Sequence, residues 1–319
     1  MKKGFLIAGA VLVFAGLALL IGAAASVGFD FAKLGAAEYE TNTYTPGEAF
    51  DRVEIDTDET DIDFRLSEDG ACRVVCTEPE KVGHRVSVEN GTLKIARNDE
   101  REWSDRLVLF SNSQAMTVYL PRARYESLAI VNGTGDIQIP GAFSFGSIDV
   151  KTATGGVTCS ASAEGTIRIG TSTGGIRIHN ASAGNIELSV SSGRIYAGEI
   201  ECRETVSASV VTGKTQMTDL VCRKLVSEGS TGDIVLKNVT ASESFSLARR
   251  TGDVSFENCD AGEITVRTTT GDVTGSINSA KVFQVQTDTG SIRVPHTTAG
   301  GTCRIKTSTG DIRIDIAGS

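Results

Sequence analysis

Apolar and polar residues alternate along residues 127–319, and the alternation restarts every 19 or 20 residues. Each restart is centred on a Thr-Gly or Ser-Gly step, as in the run Thr231-Gly232-Asp233-Ile234. The positions five and seven residues before the glycine are never charged, whereas charged residues such as Asp149 and Arg168 occur between them. This period-2 alternation predicts a β-strand with one buried face. The ten glycines that mark the repeat are Gly135, Gly155, Gly174, Gly193, Gly213, Gly232, Gly252, Gly271, Gly290 and Gly310.

Each repeat is predicted to contain a strand, a tight corner at the glycine, a second strand and a looser return. After the last glycine, Ile312 and Ile314 have inward parity, and Asp311 and Arg313 have outward parity. Glycine at the corner supplies a positive φ or room for the close approach of another backbone. A unit of this length cannot enclose a core alone, but stacking pairs each strand with its equivalent about 4.8 Å away.

The repeat therefore predicts an all-β fold, a parallel β-solenoid (β-helix) of about ten coils. At one strand spacing per coil, the stack would be about 48 Å long. A sandwich of hairpins also has short strands and regular turns. The sandwich does not explain why the same residue types return in the same column ten times.

The N-terminal residues 4–29 contain no charged side chain and follow Lys2 and Lys3. A run of this length can span a bilayer as one helix, and the flanking charges would place the N-terminus in the cytoplasm. We interpret residues 1–29 as a membrane anchor, with the bulk of the chain extracytoplasmic. The small residues at 23–26 keep a cleaved signal peptide open as the alternative, and this would also export the chain.

Between this segment and the solenoid of residues 127–319, we predict a tether at 30–50 and a β cap at 51–126. Residues 53–64 repeat the coil pattern with Thr60 in the position of the glycine, which indicates a degenerate first coil. The 19-residue period is then lost. The rest of the cap is expected to cover the first coil, since terminal repeats are often atypical.

Two features of the cap have a local interpretation. Residues 86–95 are predicted to form a hairpin, because Asn90-Gly91 is a strong two-residue turn signal. Trp103 stands in a charged stretch. It is interpreted as a half-buried loop anchor, with contact to a ligand or a membrane surface as the alternative.

The charge of the chain excludes one class of partner. The formal net charge is −9, from 31 basic and 40 acidic side chains. Residues 30–126 account for this whole excess, because the charges of the two flanking parts cancel. A basic stripe of the kind that binds nucleic acid is absent from the sequence, so no nucleic-acid partner is expected.

The combination of an apolar N-terminus, an acidic β unit and a Thr-Gly-Asp-Ile/Val step every 19 or 20 residues resembles the bacterial putative-adhesin family of β-solenoid domains. The resemblance covers residues 50–319. It implies an envelope protein at the cell surface, with a role in adhesion or in sensing envelope stress. It brings no catalytic motif, and five repeats depart from Asp after the glycine, at positions 156, 175, 194, 214 and 291.

One group of carboxylates is a candidate for binding Ca²⁺, a hard cation that takes several oxygen ligands. Because these residues alternate with apolar ones, they are better explained as the solvated face of a strand. The group consists of Glu54, Asp56, Asp58, Glu59, Asp61 and Asp63.

A second group, Asp233, Asp253 and Asp272, occupies one column in successive coils. A spacing of about 5 Å between carboxylates is that of a retaining glycosidase pair. However, Asp after a corner glycine is an ordinary turn residue, and Arg194 and Lys214 take the same column. No catalytic residue is therefore assigned.

Seven cysteines show no consistent pairing pattern. Cys202 and Cys222 both stand nine residues after a repeat glycine, so they are either a disulfide or two neighbouring thiols. Cys72 and Cys76 would lie about 13 Å apart on one strand, too far for a disulfide or a shared metal. The others are Cys159 and Cys303, expected in the core, and Cys259.

The histidines, His84, His179 and His296, are far apart in register. No zinc signature, phosphate loop or Ser-His-Asp order is convincing in the sequence. We therefore assign no metal ligand and expect no cofactor.

These observations favour a non-enzymatic, extracytoplasmic adhesin-like binding or envelope-stress-sensing module. Its outward columns would contact an envelope protein or a glycan. Two alternatives stay open: a polysaccharide-active β-helix enzyme, which needs a cleft with acids and a base, and a passive structural stalk without a specific ligand.

The coil of Gly310 is expected to be the open end of the solenoid, with Ile305, Ile312 and Ile314 covered on one side only. An uncovered strand edge is a template for another strand. Either charged residues such as Lys306 and Arg313 blunt this edge, or the C-terminal coil docks on a second copy or on another envelope protein.

Overall fold

The computed structural model describes residues 39–79, 82–99 and 114–317, together with Gly9 and residues 11–18 and 21–22. Residues 11–18 and 21–22 are helical, and no helix within the described ranges is long and apolar enough to cross a membrane. The predictions for Trp103, Lys2 and Lys3 lie outside the described residues.

From Tyr39 onward, the described chain forms 22 strands that belong to one continuous sheet wound into a solenoid. The strands are β1 (Tyr39–Tyr44), β2 (Arg52–Leu66), β3 (Arg73–Pro79), β4 (Val82–Glu89), β5 (Thr92–Asp99), β6 (Gln114–Leu120), β7 (Arg124–Thr134), β8 (Ile137–Ile139), β9 (Ser144–Thr154), β10 (Val157–Cys159), β11 (Ser162–Ala163), β12 (Thr166–Ala183), β13 (Asn185–Cys202), β14 (Thr205–Thr212), β15 (Thr215–Thr231), β16 (Ile234–Thr251), β17 (Val254–Thr270), β18 (Val273–Ile277), β19 (Lys281–Gln286), β20 (Ile292–Arg293), β21 (Gly301–Lys306) and β22 (Ile312–Ile316).

Successive coils pair in parallel at the register of the repeat, which confirms the predicted β-solenoid of about ten coils. In the column seven residues before the glycine, Ile167 pairs with Ile148 on one side and with Ile186 on the other. These side chains are at most 1% exposed. Burial of each such aliphatic side chain contributes about 1.5–3 kcal/mol, so the stacked columns supply the core that one coil lacks.

The repeat glycines lie at the corners of the coils, eight of them between two strands and the other two, Gly174 and Gly193, within β12 and β13. Their φ values run from +115° to +152°, and a Cβ built on any of them would lie 1.5–2.3 Å from a carbonyl oxygen of a neighbouring coil. Residues with a side chain do not fit there. In the first coil Thr60 occupies this column opposite Gly135. Thr60 is not among the residues with positive φ, so its corner does not require glycine.

At the N-terminal end, the order of the strands in space differs from their order in the chain. The coil formed by β2 is covered by β5 and β6, which pair in parallel with its two halves. β4 and β3 lie outside them in antiparallel orientation, and β1 pairs with β3. β4 and β5 form the predicted hairpin, with positive φ at Asn90 and Gly91.

The C-terminal end is also out of chain order. β21 pairs with both β17 and β19, and β22 pairs with both β18 and β20. Residues 301–316, the inserted coil, therefore lie between the coil of Gly271 and residues 281–293, the end coil. The expectation of an open end at the last coil is wrong, because Ile305, Ile312 and Ile314 are at most 1% exposed. The end coil is outermost among the described residues, and its Ile292 is 46% exposed.

Two adjacent glycines explain this insertion. A Cβ on Gly301 would lie 1.7 Å from the carbonyl oxygen of Gly262, and a Cβ on Gly300 would lie 1.9 Å from that of Ala280. Lys281 is the register partner of Gly301 in the end coil. If the end coil took the place of the inserted coil, the Cβ of Lys281 would meet the backbone of Gly262. Gly301 therefore lets the inserted coil, and not the end coil, pack against β17, and Gly300 lets the inserted coil pack against the residues that begin the end coil.

Candidate functional site

The site with the most unusual chemistry is formed by residues that depart from the residue types of the repeat. Arg249 stands at an inward position, three residues before Gly252, where several other coils carry threonine. Its side chain crosses two coils toward Thr215 and Ser227, which are polar residues in otherwise apolar columns. Gly229 leaves the room for it, since a Cβ there would lie 2.7 Å from Arg249 Nη1.

The guanidinium of Arg249 is buried and hydrogen-bonded, and no carboxylate of the described residues contacts it. The residue is 4% exposed. Nη2 donates to Thr215 Oγ1 at 2.7 Å, and Nε donates to the carbonyl oxygen of Gly232 at 3.2 Å. Burial lowers the pKa of Arg249 from 12.5 to about 10, and the more distant Asp233 opposes this shift. Arg249 is therefore cationic at neutral pH, with its charge only partly compensated.

Arg249 lines a surface groove of about 440 Å³ on one wall of the solenoid. Three exposed cations lie around it: Arg250 on β16, Arg267 on β17 and Lys306 on β21. We call these four residues and the space between them the cationic groove. The lining within the described chain contains no carboxylate and no histidine. It is completed by Gly229, Ser230, Ala248, Thr268, Thr269 and Ser308.

The insertion of the last coil creates the centre of this groove. Arg267 and Lys306 are direct register partners on neighbouring strands, which are about 4.8 Å apart. Directly opposed like charges destabilise a sheet, and neither side chain forms an ion pair among the described residues. If the coils followed chain order, the partner of Arg267 would be Gln286, which stands in the Lys306 column.

Several cations elsewhere on the walls have ion-pair partners. Arg223 lies between two glutamates of adjacent coils, with N–O distances of 2.6 Å to Glu204 and 2.7 Å to Glu243. Arg168 bonds Glu187 at 2.7 Å. In the cationic groove, by contrast, cations of neighbouring coils lie together, and the lining within the described chain offers them no carboxylate.

The carboxylates considered for catalysis form hydrogen bonds between the corners of successive coils. Asp233 Oδ1 accepts a hydrogen bond from the backbone N–H of Asp253 at 3.0 Å, and Asp253 accepts one from Asp272 at 2.8 Å. Asp272 in turn accepts from Asp311 of the inserted coil at 2.8 Å. Each carboxylate ties its corner to that of the next coil, which is the role of an ordinary turn residue.

The acidic run of the first coil is spread along the outer face of β2. Glu54, Asp56, Asp58 and Glu59 are exposed. Asp63 pairs with Arg65 at 2.7 Å, and Asp61 accepts a backbone hydrogen bond from Asp136 at 2.9 Å. These partners are those of a solvated strand face rather than of a converging set of calcium ligands.

The cysteines are all free and buried. Cys202 and Cys222 lie in adjacent coils and form no disulfide. Of the two alternatives, the structure therefore shows two neighbouring thiols. Burial raises the pKa of the Cys222 thiol to about 12, which keeps it protonated at neutral pH. Among the histidines, His296 is exposed and His84 is buried in the cap.

The comparison with solved structures gives similar chains at low sequence identity, including the following three. One is described as a putative adhesin from Parabacteroides distasonis, with 12% identity, coverage of 88% of this chain and 98% of that chain, and a TM-score of 0.46. Another, a putative adhesin from Bacteroides fragilis, has 12% identity, 88% and 99% coverage, and a TM-score of 0.38. The third is a putative lipid binding protein from Parabacteroides distasonis, with 16% identity, 88% and 98% coverage, and a TM-score of 0.30.

The comparison with curated proteins gives no match. The comparison with family models gives a match to Toastrack DUF4097 over residues 50–203 and 198–319, which together include the cap and all coils of the solenoid. This match confirms the resemblance drawn from the repeat. The chain belongs to the Toastrack DUF4097 family.

Proposed function

We propose that the chain is a non-enzymatic, extracytoplasmic, adhesin-like module that binds an anionic component of the cell envelope through the cationic groove. The observation that carries this proposal is the buried Arg249, which lines a groove with three exposed cations; within the described part of the chain, no carboxylate contacts Arg249 and the three cations form no ion pair. A buried cation is costly unless it is compensated. An anionic ligand would supply that compensation and would also relieve the repulsion between Arg267 and Lys306.

The chemistry of the groove favours binding over catalysis. Hydrolysis of a glycan needs a general acid and a base or nucleophile within reach of the bond. The described lining offers only hydroxyls, guanidinium groups and an ammonium group. Guanidinium groups bind phosphate and carboxylate by paired hydrogen bonds. The ligand class is therefore an anion with phosphate or carboxylate groups, carried either by a polymer or by a lipid headgroup.

We expect the double substitution Arg267→Ala/Lys306→Ala to weaken binding of long-chain polyphosphate at least about tenfold, which corresponds to about 1.4 kcal/mol. Titration followed by calorimetry measures the effect. The matched control is Arg194→Ala/Lys214→Ala, which removes two exposed cations from adjacent coils outside the groove. Glycerol 1-phosphate serves as the headgroup probe. Comparable affinity for this monomer would identify a headgroup site, and polyphosphate alone would identify a polymer site.

If both double variants bind polyphosphate as the unchanged protein does, the groove is not the binding site. Lack of binding by all three proteins would favour the passive stalk. Cleavage of an envelope polysaccharide by the purified chain would favour the enzyme alternative.

The extracytoplasmic location is part of the same proposal and rests on the N-terminal segment. Residues 4–29 carry no charge. Where this segment is described it is helical, and its apolar side chains Val11, Leu12 and Phe14 are 61–73% exposed. An apolar helix with exposed side chains is suited to a lipid environment.

Protease added to intact protoplasts should therefore digest the solenoid while a cytoplasmic marker protein survives. The part of the chain beyond residue 30 should be digested. Complete protection of the solenoid, with digestion only after lysis, would place it in the cytoplasm and contradict the proposed location.

A further inference from the structure

The cap contains a buried polar cluster that the binding function does not use. β3 directs Val74, Cys76 and Glu78 inward, and β4 directs His84 inward. Cys76 and Glu78 are 0% exposed and His84 is 5% exposed. A carboxylate and an imidazole at core positions are expensive to bury unless their partners are built around them. The burial of Glu78 and His84 therefore needs a structural or functional explanation.

The three side chains converge on one point. One ligand-type atom from each, the thiol sulfur, a carboxylate oxygen and an imidazole nitrogen, lies within 4.8 Å of the other two. The closest pair is His84 Nδ1 and Glu78 Oε2, at 2.6 Å. Ligand atoms around a tetrahedral zinc ion are about 3.3–3.8 Å apart, given bond lengths of about 2.0–2.3 Å. Opening the His84–Glu78 contact by about 1 Å would admit the ion.

The remaining atoms of the cluster are held as those of a metal site are. His84 Nε2 is 2.9 Å from Thr57 Oγ1, which fixes the ring with Nδ1 toward the other two side chains. Glu78 Oε1 accepts hydrogen bonds from Asn42 Nδ2 at 3.0 Å and from Tyr44 Oη at 3.2 Å. Metal-binding histidines and carboxylates are usually oriented by such outer contacts.

The donor set selects the ion. Thiolate, imidazole and carboxylate together suit Zn²⁺, whereas Ca²⁺ and Mg²⁺ take oxygen ligands. One thiolate and one carboxylate also neutralise a dication, which a buried site requires. Three ligands from the chain leave the fourth tetrahedral position to a water molecule.

Nucleophilic catalysis is the rival use of the same residues, because Thr57, His84 and Glu78 stand in the order hydroxyl, imidazole, carboxylate. Thr57 is 6% exposed, and its hydroxyl is also 2.8 Å from that of Thr60. A substrate would need access to that hydroxyl. A catalytic triad does not explain why Cys76 lies next to Glu78 and His84, whereas a metal site does.

We propose that Cys76, Glu78 and His84 form a zinc site that ties strands β3 and β4 of the cap together. Through Thr57, Asn42 and Tyr44 the site also reaches β2 and β1. The ion would thus join the antiparallel strands of the cap to the first coil of the solenoid.

Zinc titration of the full chain against a chromophoric chelator tests this proposal. We expect one Zn²⁺ per chain and at least 100-fold weaker binding for Cys76→Ser and for His84→Gln. The matched control is Cys72→Ser, which changes another buried cysteine of the same inward face, 6% exposed. This control should bind zinc as the unchanged chain does.

Cobalt substitution provides a second readout, which for the unchanged chain does not depend on any variant folding. The Co²⁺ form of the unchanged chain should show a thiolate-to-cobalt charge-transfer band, and Cys72→Ser should keep it. Absence of stoichiometric zinc binding, a cobalt form without that band, or loss of the band in Cys72→Ser alone would each overturn the proposal and leave the cluster as a hydrogen-bond network only.

Discussion

Replacing Gly174 by alanine should strongly destabilise the solenoid, whereas replacing the next residue, Gly175, should leave it intact. Gly174 has φ +143°, and a Cβ there would lie 2.0 Å from the carbonyl oxygen of Gly155. The backbone fixes the position of a Cβ, and the oxygen belongs to the main chain, so neither atom can rotate away. At Gly175 the nearest atom to a new Cβ is Arg194 Cγ at 3.6 Å, an ordinary contact.

A strained backbone position costs about 1–3 kcal/mol, and the added clash places Gly174→Ala at the top of that range. For a domain of this size we expect a melting temperature about 6–12 °C lower. Gly175→Ala should be neutral or stabilising by up to about 1 kcal/mol, because alanine has less freedom in the unfolded chain. Thermal unfolding followed by circular dichroism measures both. Equal melting temperatures would show that the corner tolerates a side chain and that the glycine column has another cause.

A chain that ends at Pro295 should lose two coils rather than one. Within the described chain, β19 pairs only with β21, and β20 pairs only with β22. Removal of the inserted coil therefore leaves the end coil without a strand partner. The end coil cannot move inward to replace it, because Lys281 would then meet the backbone of Gly262 at the place of Gly301.

Hydrogen exchange measured by mass spectrometry distinguishes the two outcomes. In the full chain the amides of 281–286 should be protected, and in the chain ending at Pro295 they should exchange as in an unfolded peptide. A chain ending at Asn278 is the control, since it lacks both coils by construction. Its residues 124–251 should be protected as in the other two chains. Persisting protection of 281–286 after truncation would mean that coil order in space can revert to chain order.

The repeat made most of the fold predictable. Equivalent positions such as Ile167 and Ile186 have the same environment in each coil. Ten imperfect copies of the repeat therefore indicate together which side chains face inward and where the corner lies. The hairpin at Asn90-Gly91 was predictable for a different reason, since its turn conformation is a local property of two residues.

The order of the coils was not predictable by the same means. Coils with equivalent columns are interchangeable as stacking partners, and a period of 19 or 20 residues carries no information on which coil lies next to which. The deciding contacts are those of Gly300 and Gly301 with two different neighbours. In the sequence this dipeptide reads only as a turn signal.

The cationic groove depends on residues that are distant in sequence, whereas the proposed zinc ligands all lie within residues 76–84. Thr215 and Ser227 were visible as polar exceptions, but only the structure joins them to Arg249. In the sequence, these residues and Gly229 are recognisable only as departures from the residue types of the repeat in neighbouring coils. Cys76, Glu78 and His84 belong to the part of the cap where the period is lost. There the inward parity of Glu78 and His84 was the available clue.

The position of the inserted coil has a consequence for biosynthesis. Residues 281–293 leave the ribosome before the strands that attach them to the solenoid. At about 5–20 residues per second, the delay of some 20 residues lasts about 1–4 s. During this interval the nascent chain ends in an unattached coil, and the edge of β17 is available to other strands. The solenoid is completed only when β21 and β22 have been synthesised. An interrupted chain would therefore keep the unattached coil and the open edge of β17, which cellular quality control could recognise.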